Sequence, residues 1–230
     1  MQNLKYYIYH SKDKIDMLYS QIPVSIRKKL DSKIKLNLQL AEISFSSKQF
    51  SDTLYTKLAV ILDYLEDNKL VGSISKPLEY FYGNLFMGWA QIYPGVLFLG
   101  GTFNDISVGL GGSMNNLLGY KWDATDVPVG ISHTPWLVSL LYREVQMLFP
   151  FEPAYVQYGH FDVEATRKQE YEKRVSSATS HWTYDITNNP AKFQISKFEF
   201  VAKVLRNTES VHSHYRKVLL GTPIYVAKSE

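Results

Sequence analysis

The sequence predicts a single α+β domain over residues 1–230, with a mainly antiparallel sheet and helices packed on it. Three observations predict this class. Two apolar, glycine-rich segments, Val96–Gly101 and Asp105–Leu110, are separated by a short connection, as in an antiparallel hairpin. The segment Ser51–Asp67 has apolar residues at helical spacing. No stretch of low complexity divides the chain, which favours one domain.

The N-terminal elements follow from local composition. Leu4–Tyr9 is aromatic and β-branched, which predicts a strand. A helix over Ile15–Ile22 follows, which Ser11 or Asp13 can cap. Pro23 ends this helix, because proline disfavours a helical conformation in the residue before it.

The next segment changes its pattern of apolar residues. Val24–Leu30 predicts a second short helix. Apolar residues then alternate strictly over Ile34–Leu40, which predicts a half-buried strand. The alternation slips by one residue near Ala41–Glu42, and this predicts a β-bulge. After the helix at Ser51–Asp67, Leu70–Ile74 predicts a short strand.

The aromatic segment Pro77–Tyr93 has neither helical nor strand periodicity, so we expect an ordered loop. Beyond the central hairpin, Thr134 and Pro135 suit the first positions of a helix that Pro150 ends. Glu164–Ala178 predicts a helix that is polar on nearly all sides, which is typical of a helix that projects or meets a partner.

The C-terminal quarter completes the prediction. His181–Asn189 is expected to be a loop or an edge strand, and Ser196–Asn207 a helix, with a strand left open as its alternative. Lys217–Ala227 predicts a strand interrupted at Gly221–Pro223. Proline within a strand indicates either an edge position or a bulge.

Composition excludes several classes of function. The formal net charge of +3 is too small to indicate a nucleic-acid partner. The chain has no cysteine, which excludes disulfides and thiol catalysis and fits a cytoplasmic location. No apolar run has the length of a membrane span, and no signal peptide is evident, so we expect no membrane association.

The sharpest local motif is the corner Gly111-Gly112-Ser113, with Asn116 three residues further on. Glycines allow backbone N–H groups to approach a ligand, and a helix N-terminus favours an anion. The motif matches neither a P-loop nor a dinucleotide fingerprint. The alternative is a tight turn whose glycines have positive φ and whose serine caps a short helix. We therefore expect either a small-anion site or a structural turn at this corner.

Two further groups are candidates for the same site. Ser132, His133 and Thr134 open another predicted helix, where an imidazole could polarise or protonate a bound oxygen. The aromatic segment offers Tyr82 and Trp89 for stacking on a planar ligand, or alternatively as ordinary core. A site requires these groups to converge on Gly111–Asn116.

Metal and nucleophile motifs are incomplete. The pairs in His160–Asp162 and His212–His214 resemble metal ligands, yet no neighbour at metal spacing completes either set. No G-x-S-x-G nucleophile motif is present. We therefore expect no metal and no cofactor.

Several blocks together resemble an uncharacterised bacterial family, of the kind common in actinobacteria. They are YYIYHSKDKIDMLYSQIP, YFYGNLFMGW, LFLGG with ISVGLGGSMNNLLG, SHTPWLVSLL and VLLGTPIYVA. They run nearly from end to end, so the resemblance supports one domain. It implies no activity, cofactor or site residue.

The leading functional hypothesis is a non-enzymatic regulatory or sensor module. It would bind a small anionic or nucleotide-like ligand or a protein partner, through Gly111–Asn116, Ser132–Thr134, Tyr82 and Trp89. One alternative is a phosphoester or nucleotide hydrolase that uses His133 as acid or base and Ser113 to hold the anion. Another is a structural subunit of a bacterial defence system, with Glu164–Ala178 as its docking helix. A second copy of the chain is a further candidate partner.

Overall fold

A sheet of seven strands dominates the computed structural model, which describes residues 5–40, 53–93, 95–120, 165–210 and 213–229. The strands are β1 (Tyr6–His10), β2 (Val71–Ser73), β3 (Tyr80–Tyr93), β4 (Val96–Phe103), β5 (Ile106–Ser113), β6 (Ser196–Glu209) and β7 (Lys217–Lys228). The helices of the described residues are α1 (Lys12–Gln21), α2 (Val24–Leu40), α3 (Leu54–Asp67), a 3-10 helix (Met114–Asn116) and α4 (Ala165–Asn188).

Five of the strands close into a small barrel. The hydrogen-bonded order is β3-β4-β5-β7, and β6 joins β7 back to β3. β1 pairs with β7, and β2 pairs with β3. The pairs β2–β3 and β5–β7 are parallel, whereas the other five pairs are antiparallel. The predicted α+β class with a mainly antiparallel sheet is therefore confirmed.

Apolar side chains fill the inside of the barrel. Phe81 and Phe200 meet edge to face there, with ring centroids 5.6 Å apart. A Cβ atom built on Gly83 would overlap the Phe200 ring, and one built on Gly221 would lie 2.6 Å from the Phe81 ring. Because side chains occupy this interior, the middle of the barrel is a packed core.

Helices cover two parts of the outer wall of the barrel. α1, α2 and α3 pack over Tyr80, Val201 and Tyr225, on the side of β1, β6 and β7. α4 packs over β3, β4 and β5, with Ile186 against Gly88 and Thr183 against Gly100. The absence of side chains at these glycines lets the helix backbone approach the sheet closely.

Several predicted elements are confirmed. β1, α1 and the β4–β5 hairpin lie close to where the sequence places them, and Pro23 follows α1. Thr53 caps α3, accepting a hydrogen bond from the backbone N–H of Thr56 at 3.2 Å. β2 forms the short strand expected within Leu70–Ile74.

The strand predicted over Ile34–Leu40 is wrong, because α2 continues through this segment to Leu40. Strict alternation over seven residues does not exclude a helix when five of them are leucine, lysine or glutamine, which are good helix formers. The bulge predicted near Ala41–Glu42 lies outside the described residues.

The aromatic segment Pro77–Tyr93 is not a loop but forms β3, the strand that joins two parts of the sheet. Its alternation is hidden in the sequence because large aromatic residues stand on both faces. The positions facing the barrel are buried, whereas Tyr82 and Phe86 on the outer face are exposed.

The C-terminal predictions need three corrections. The segment His181–Asn189 is largely helical, because α4 continues to Asn188. Ser196–Asn207 forms β6, so the helix prediction is wrong and the strand alternative is confirmed. Pro223 lies in β7 beside a register shift, where Val201 pairs with Tyr225 and Ala202 with Pro223. The bulge is therefore confirmed, and β7 is not an edge strand, because β6 pairs with one side of it and β5 and β1 pair with parts of the other.

The helix predicted from Thr134 to Pro150 lies outside the described residues. Among those that are described, no helix is long and apolar enough to cross a membrane.

Candidate functional site

The corner Gly111-Gly112-Ser113 ends β5 and is held in the sheet. Gly111 pairs with Phe98 and Gly112 with Leu97 on β4. A Cβ atom built on Gly112 would lie 2.8 Å from the Tyr9 ring carbon Cζ. Tyr9 is fully buried, so its ring cannot move aside easily. Gly112 is therefore required by the close approach of this ring.

The polar groups of the corner bond to one another. The Ser113 hydroxyl accepts a hydrogen bond from the backbone N–H of Asn115 at 3.3 Å, so the predicted serine cap is confirmed. The Asn116 side-chain amide donates to the Tyr9 hydroxyl, also at 3.3 Å. Burial raises the pKa of Tyr9 to about 12, against smaller opposing effects of its hydrogen bonds. The phenol is thus a neutral structural group at physiological pH.

The positive φ expected at this corner is wrong. Of the described glycines, Gly95 and Gly119 have positive φ, whereas Gly111 and Gly112 have ordinary strand conformations. The helix after Ser113 has only three residues, Met114–Asn116, so it has little dipole to offer an anion. Anion binding at the corner stays a prediction, and these contacts favour the structural alternative.

The three residues of the second predicted helix start, Ser132, His133 and Thr134, lie outside the described residues. Their convergence with Ser113 therefore stays a prediction, as does the hydrolase alternative that depends on it.

The two aromatic candidates lie on opposite faces of β3. Trp89 packs against the barrel core and meets Tyr120 edge to face, with ring centroids 6.4 Å apart. Tyr82 is 42% exposed on the outer face. The structure therefore does not bring Tyr82 and Trp89 together into one stacking pocket.

The outer face of β3 carries an exposed row of Tyr82, Asn84 and Phe86, which we call the aromatic strip. Phe86 is 64% exposed, an unusual value for phenylalanine within a long strand. The Ser229 hydroxyl donates to the Asn84 side-chain oxygen at 2.9 Å. The Asn84 side-chain NH₂ group has no partner in the described part of the chain.

The aromatic strip lies on the part of the outer barrel surface that neither α1–α3 nor α4 covers. Tyr80, earlier on the same face, packs with α1–α3, whereas Gly88, later on it, packs under α4. Next to Asn84 on β6 lies Glu199, which forms an ion pair with Lys5 at 2.6 Å. The strip thus combines two aromatic rings with a hydrogen-bonding amide and a neutralised acid.

Sequence reasoning included Tyr82 but missed Asn84 as a site residue. Alternation at even positions from Tyr80 to Phe86 places these side chains on one strand face and could have identified it. The aromatic residues on the opposite face of the strand conceal this alternation in the sequence.

The incomplete histidine motifs give no cluster in the described residues. His214 stacks on Tyr184, with ring centroids 4.8 Å apart and planes inclined by 12°. No group of three potential metal ligands occurs in the ranges that the structure describes. His160 and His212 lie outside those ranges.

Fold and surface define a class: a small-barrel α+β protein with helices on two sides and an aromatic strip between them. Within that class the chain belongs to a family of unknown function, DUF7019, whose model matches residues 5–230. The resemblance to an uncharacterised family is thereby confirmed. No curated protein and no solved structure matches the chain.

Proposed function

We propose that the protein is a non-enzymatic binding module and that the aromatic strip recognises a small ligand with a planar, nucleotide-like ring. The observation that carries the proposal is the exposure of Phe86 and Tyr82 on one strand face, with the Asn84 amide between them. Solvent-exposed aromatic side chains arranged in this way are costly to hydrate and are typical of binding surfaces.

The geometry of the strip suits a heteroaromatic ring. Successive residues on one strand face are about 7 Å apart, so Asn84 lies one such step from each aromatic ring. A planar ring stacked on Phe86 or Tyr82 brings its edge toward Asn84. Because Ser229 holds the Asn84 oxygen, the NH₂ group is left to donate to an acceptor on that edge.

The other candidate site gives less support. At the glycine corner, the Tyr9 hydroxyl and the Asn116 amide are engaged with each other, and Ser113 caps the 3-10 helix. The aromatic strip instead presents an amide donor and two rings to solvent. We therefore place the ligand on the strip, and the anionic character of the ligand stays a prediction.

The test is isothermal titration calorimetry with the four common ribonucleosides and their monophosphates, each titrated into the purified protein. We expect saturable binding of at least one compound. Phe86→Ala and Asn84→Ala should each weaken this binding by about tenfold, since stacking and edge recognition each contribute on the order of 1–3 kcal/mol.

Val24→Ala is the matched control, because Val24 is 56% exposed and lies on α2, away from the strip. It should bind like the wild type. The proposal is wrong if no compound binds at millimolar concentration, or if Phe86→Ala binds as tightly as the wild type. A concentration-dependent dimer that Phe86→Ala abolishes would instead assign the strip to a second copy of the chain.

A further inference from the structure

A half-buried lysine lies against the bulged strand β7. Lys14 is in the first turn of α1, and its amine donates to the Thr222 hydroxyl at 2.5 Å and to the Pro223 carbonyl at 3.5 Å. Both acceptors are in β7, and both are uncharged.

The surroundings explain why these acceptors are available. β5 pairs with β7 as far as Gly221, and β1 pairs with it only from Tyr225 onward. Thr222 and Pro223 therefore lie in a gap between two neighbouring strands. The backbone N–H of Ser11 donates to the Ile224 carbonyl at 2.9 Å. The Lys14 amine donates to the Thr222 hydroxyl and the Pro223 carbonyl in the same gap.

No carboxylate neutralises Lys14 in the described part of the chain. The charge of Asp13, its neighbour on α1, raises the pKa of Lys14, but by less than burial lowers it. Glu79 is 3.6 Å from the amine of Lys203, the residue on β6 that pairs with Thr222 on β7. Among the described residues, Lys14 therefore has uncharged hydrogen-bond acceptors and forms no ion pair.

The acid further along α1 is also occupied. Asp16 accepts hydrogen bonds from Lys12 and from Lys57 on α3, each at 2.8 Å. Burial of Lys14 among uncharged groups lowers its pKa to about 8. The first turn of a helix adds to this effect, because the positive end of the helix dipole disfavours a cation.

We propose that Lys14 is a site of covalent modification by small aldehydes. A neutral amine has two N–H bonds and one lone pair. Thr222 and Pro223 accept the two N–H bonds, which leaves the lone pair for attack on a carbonyl carbon.

The reaction forms one bond and releases water. The Lys14 nitrogen attacks the aldehyde carbon and gives a carbinolamine. The carbonyl oxygen then leaves as water with the two hydrogens of the amine, and a C=N bond results. When this imine is protonated, its single N–H can donate to the Thr222 hydroxyl. No oxidation or reduction takes place in this step.

The test is reductive methylation of the native protein at pH 7.5 with a limiting amount of ¹³C-formaldehyde. Sodium cyanoborohydride is the reductant, supplying the hydride that converts each imine to a stable amine. Peptide mass spectrometry then gives the label on each lysine. We expect Lys14 to carry at least tenfold more label than Lys12, because far more of its amine is neutral at this pH.

Lys12 is the matched control, since it lies on the same helix and its pKa is raised by the Asp16 hydrogen bond. In 6 M guanidinium chloride the two lysines should label equally. Equal labelling in the native protein would overturn the proposal, and so would a preference for Lys14 that persists after unfolding. Both results are read from the wild-type chain and need no variant to fold.

Discussion

At the scale of single residues, the absence of a side chain at Gly112 makes room for the ring of Tyr9. The atoms that a Cβ on Gly112 would meet all belong to Tyr9. The Tyr9 hydroxyl accepts a hydrogen bond from the Asn116 side chain. Its backbone forms an isolated antiparallel β-bridge with Leu117, just after the 3-10 helix. One missing side chain thus lets β1 pack against the end of β5.

The first prediction concerns this contact. Gly112→Ala should destabilise the protein by about 2 kcal/mol, because the added methyl overlaps a buried ring that has no free space to enter. Urea unfolding measures the change. In a Tyr9→Leu background the same substitution should cost less, and an equal cost in both backgrounds would contradict the explanation.

At the scale of elements, ion pairs join the outer helices. Asp16 of α1 forms ion pairs with Lys12 and with Lys57. The ion pair with Lys57 links α1 to α3. The two lysines lower the pKa of Asp16 to about 2, against the usual value near 4. The carboxylate form is therefore favoured in the folded state.

The second prediction is a pH dependence. Because the folded pKa is lowered, Asp16 stabilises the protein above about pH 4, and this contribution is lost as pH falls from about 4 to 2. Asp16→Asn should remove the corresponding part of the pH dependence measured by urea unfolding. Met17→Ala, an uncharged substitution at an exposed position of the same helix, is the control, and it should leave the pH dependence unchanged.

The third prediction concerns the contact between α4 and the sheet. A Cβ on Gly88 would lie 2.6 Å from the Ile186 side chain, and its other neighbours are at ordinary distances. Gly88→Ala should therefore destabilise the protein by about 1–3 kcal/mol. Hydrogen exchange of the α4 amides around Ile186 should become faster.

Ile186→Ala provides the double-mutant cycle for this prediction. Removing the larger side chain makes room for the methyl at Gly88, so the double variant should lose less stability than the sum of the single variants. Additive losses would show that α4 is not held by this contact.

Local patterns predicted those elements whose signals lie within one segment. The helix α3 and the short connection between β4 and β5 are examples. β3 could not be predicted in the same way, because large aromatic residues stand on both of its faces. Only the tertiary packing separates Tyr80, which is buried, from Phe86, which is exposed.

The candidate site could be predicted only in part, because its residues contact partners that are distant in the sequence. The sequence identifies Gly112 as unusual but does not contain its reason, which is a ring more than a hundred residues away at Tyr9. The same holds for Asn84, whose amide is oriented by Ser229 at the other end of the chain. Lys14 gives no local signal either, since its environment is created by the bulge in β7.

At the scale of the whole molecule, the barrel separates a closed interior from an exposed wall. Phe81, Phe200 and their neighbours form a buried apolar core on the inside. α1–α3 and α4 cover two parts of the outside and leave the aromatic strip between them. We propose that ligand recognition takes place on that open wall.

Amide and aromatic chemical-shift mapping by solution NMR tests this claim most directly. The protein is titrated with the nucleoside or nucleotide that calorimetry identifies as the tightest ligand. We predict that the largest changes occur at the Asn84 side-chain NH₂ and the Phe86 ring, with small changes at Gly111–Asn116. The largest changes at Gly111–Asn116, with the strip unaffected, would contradict the claim.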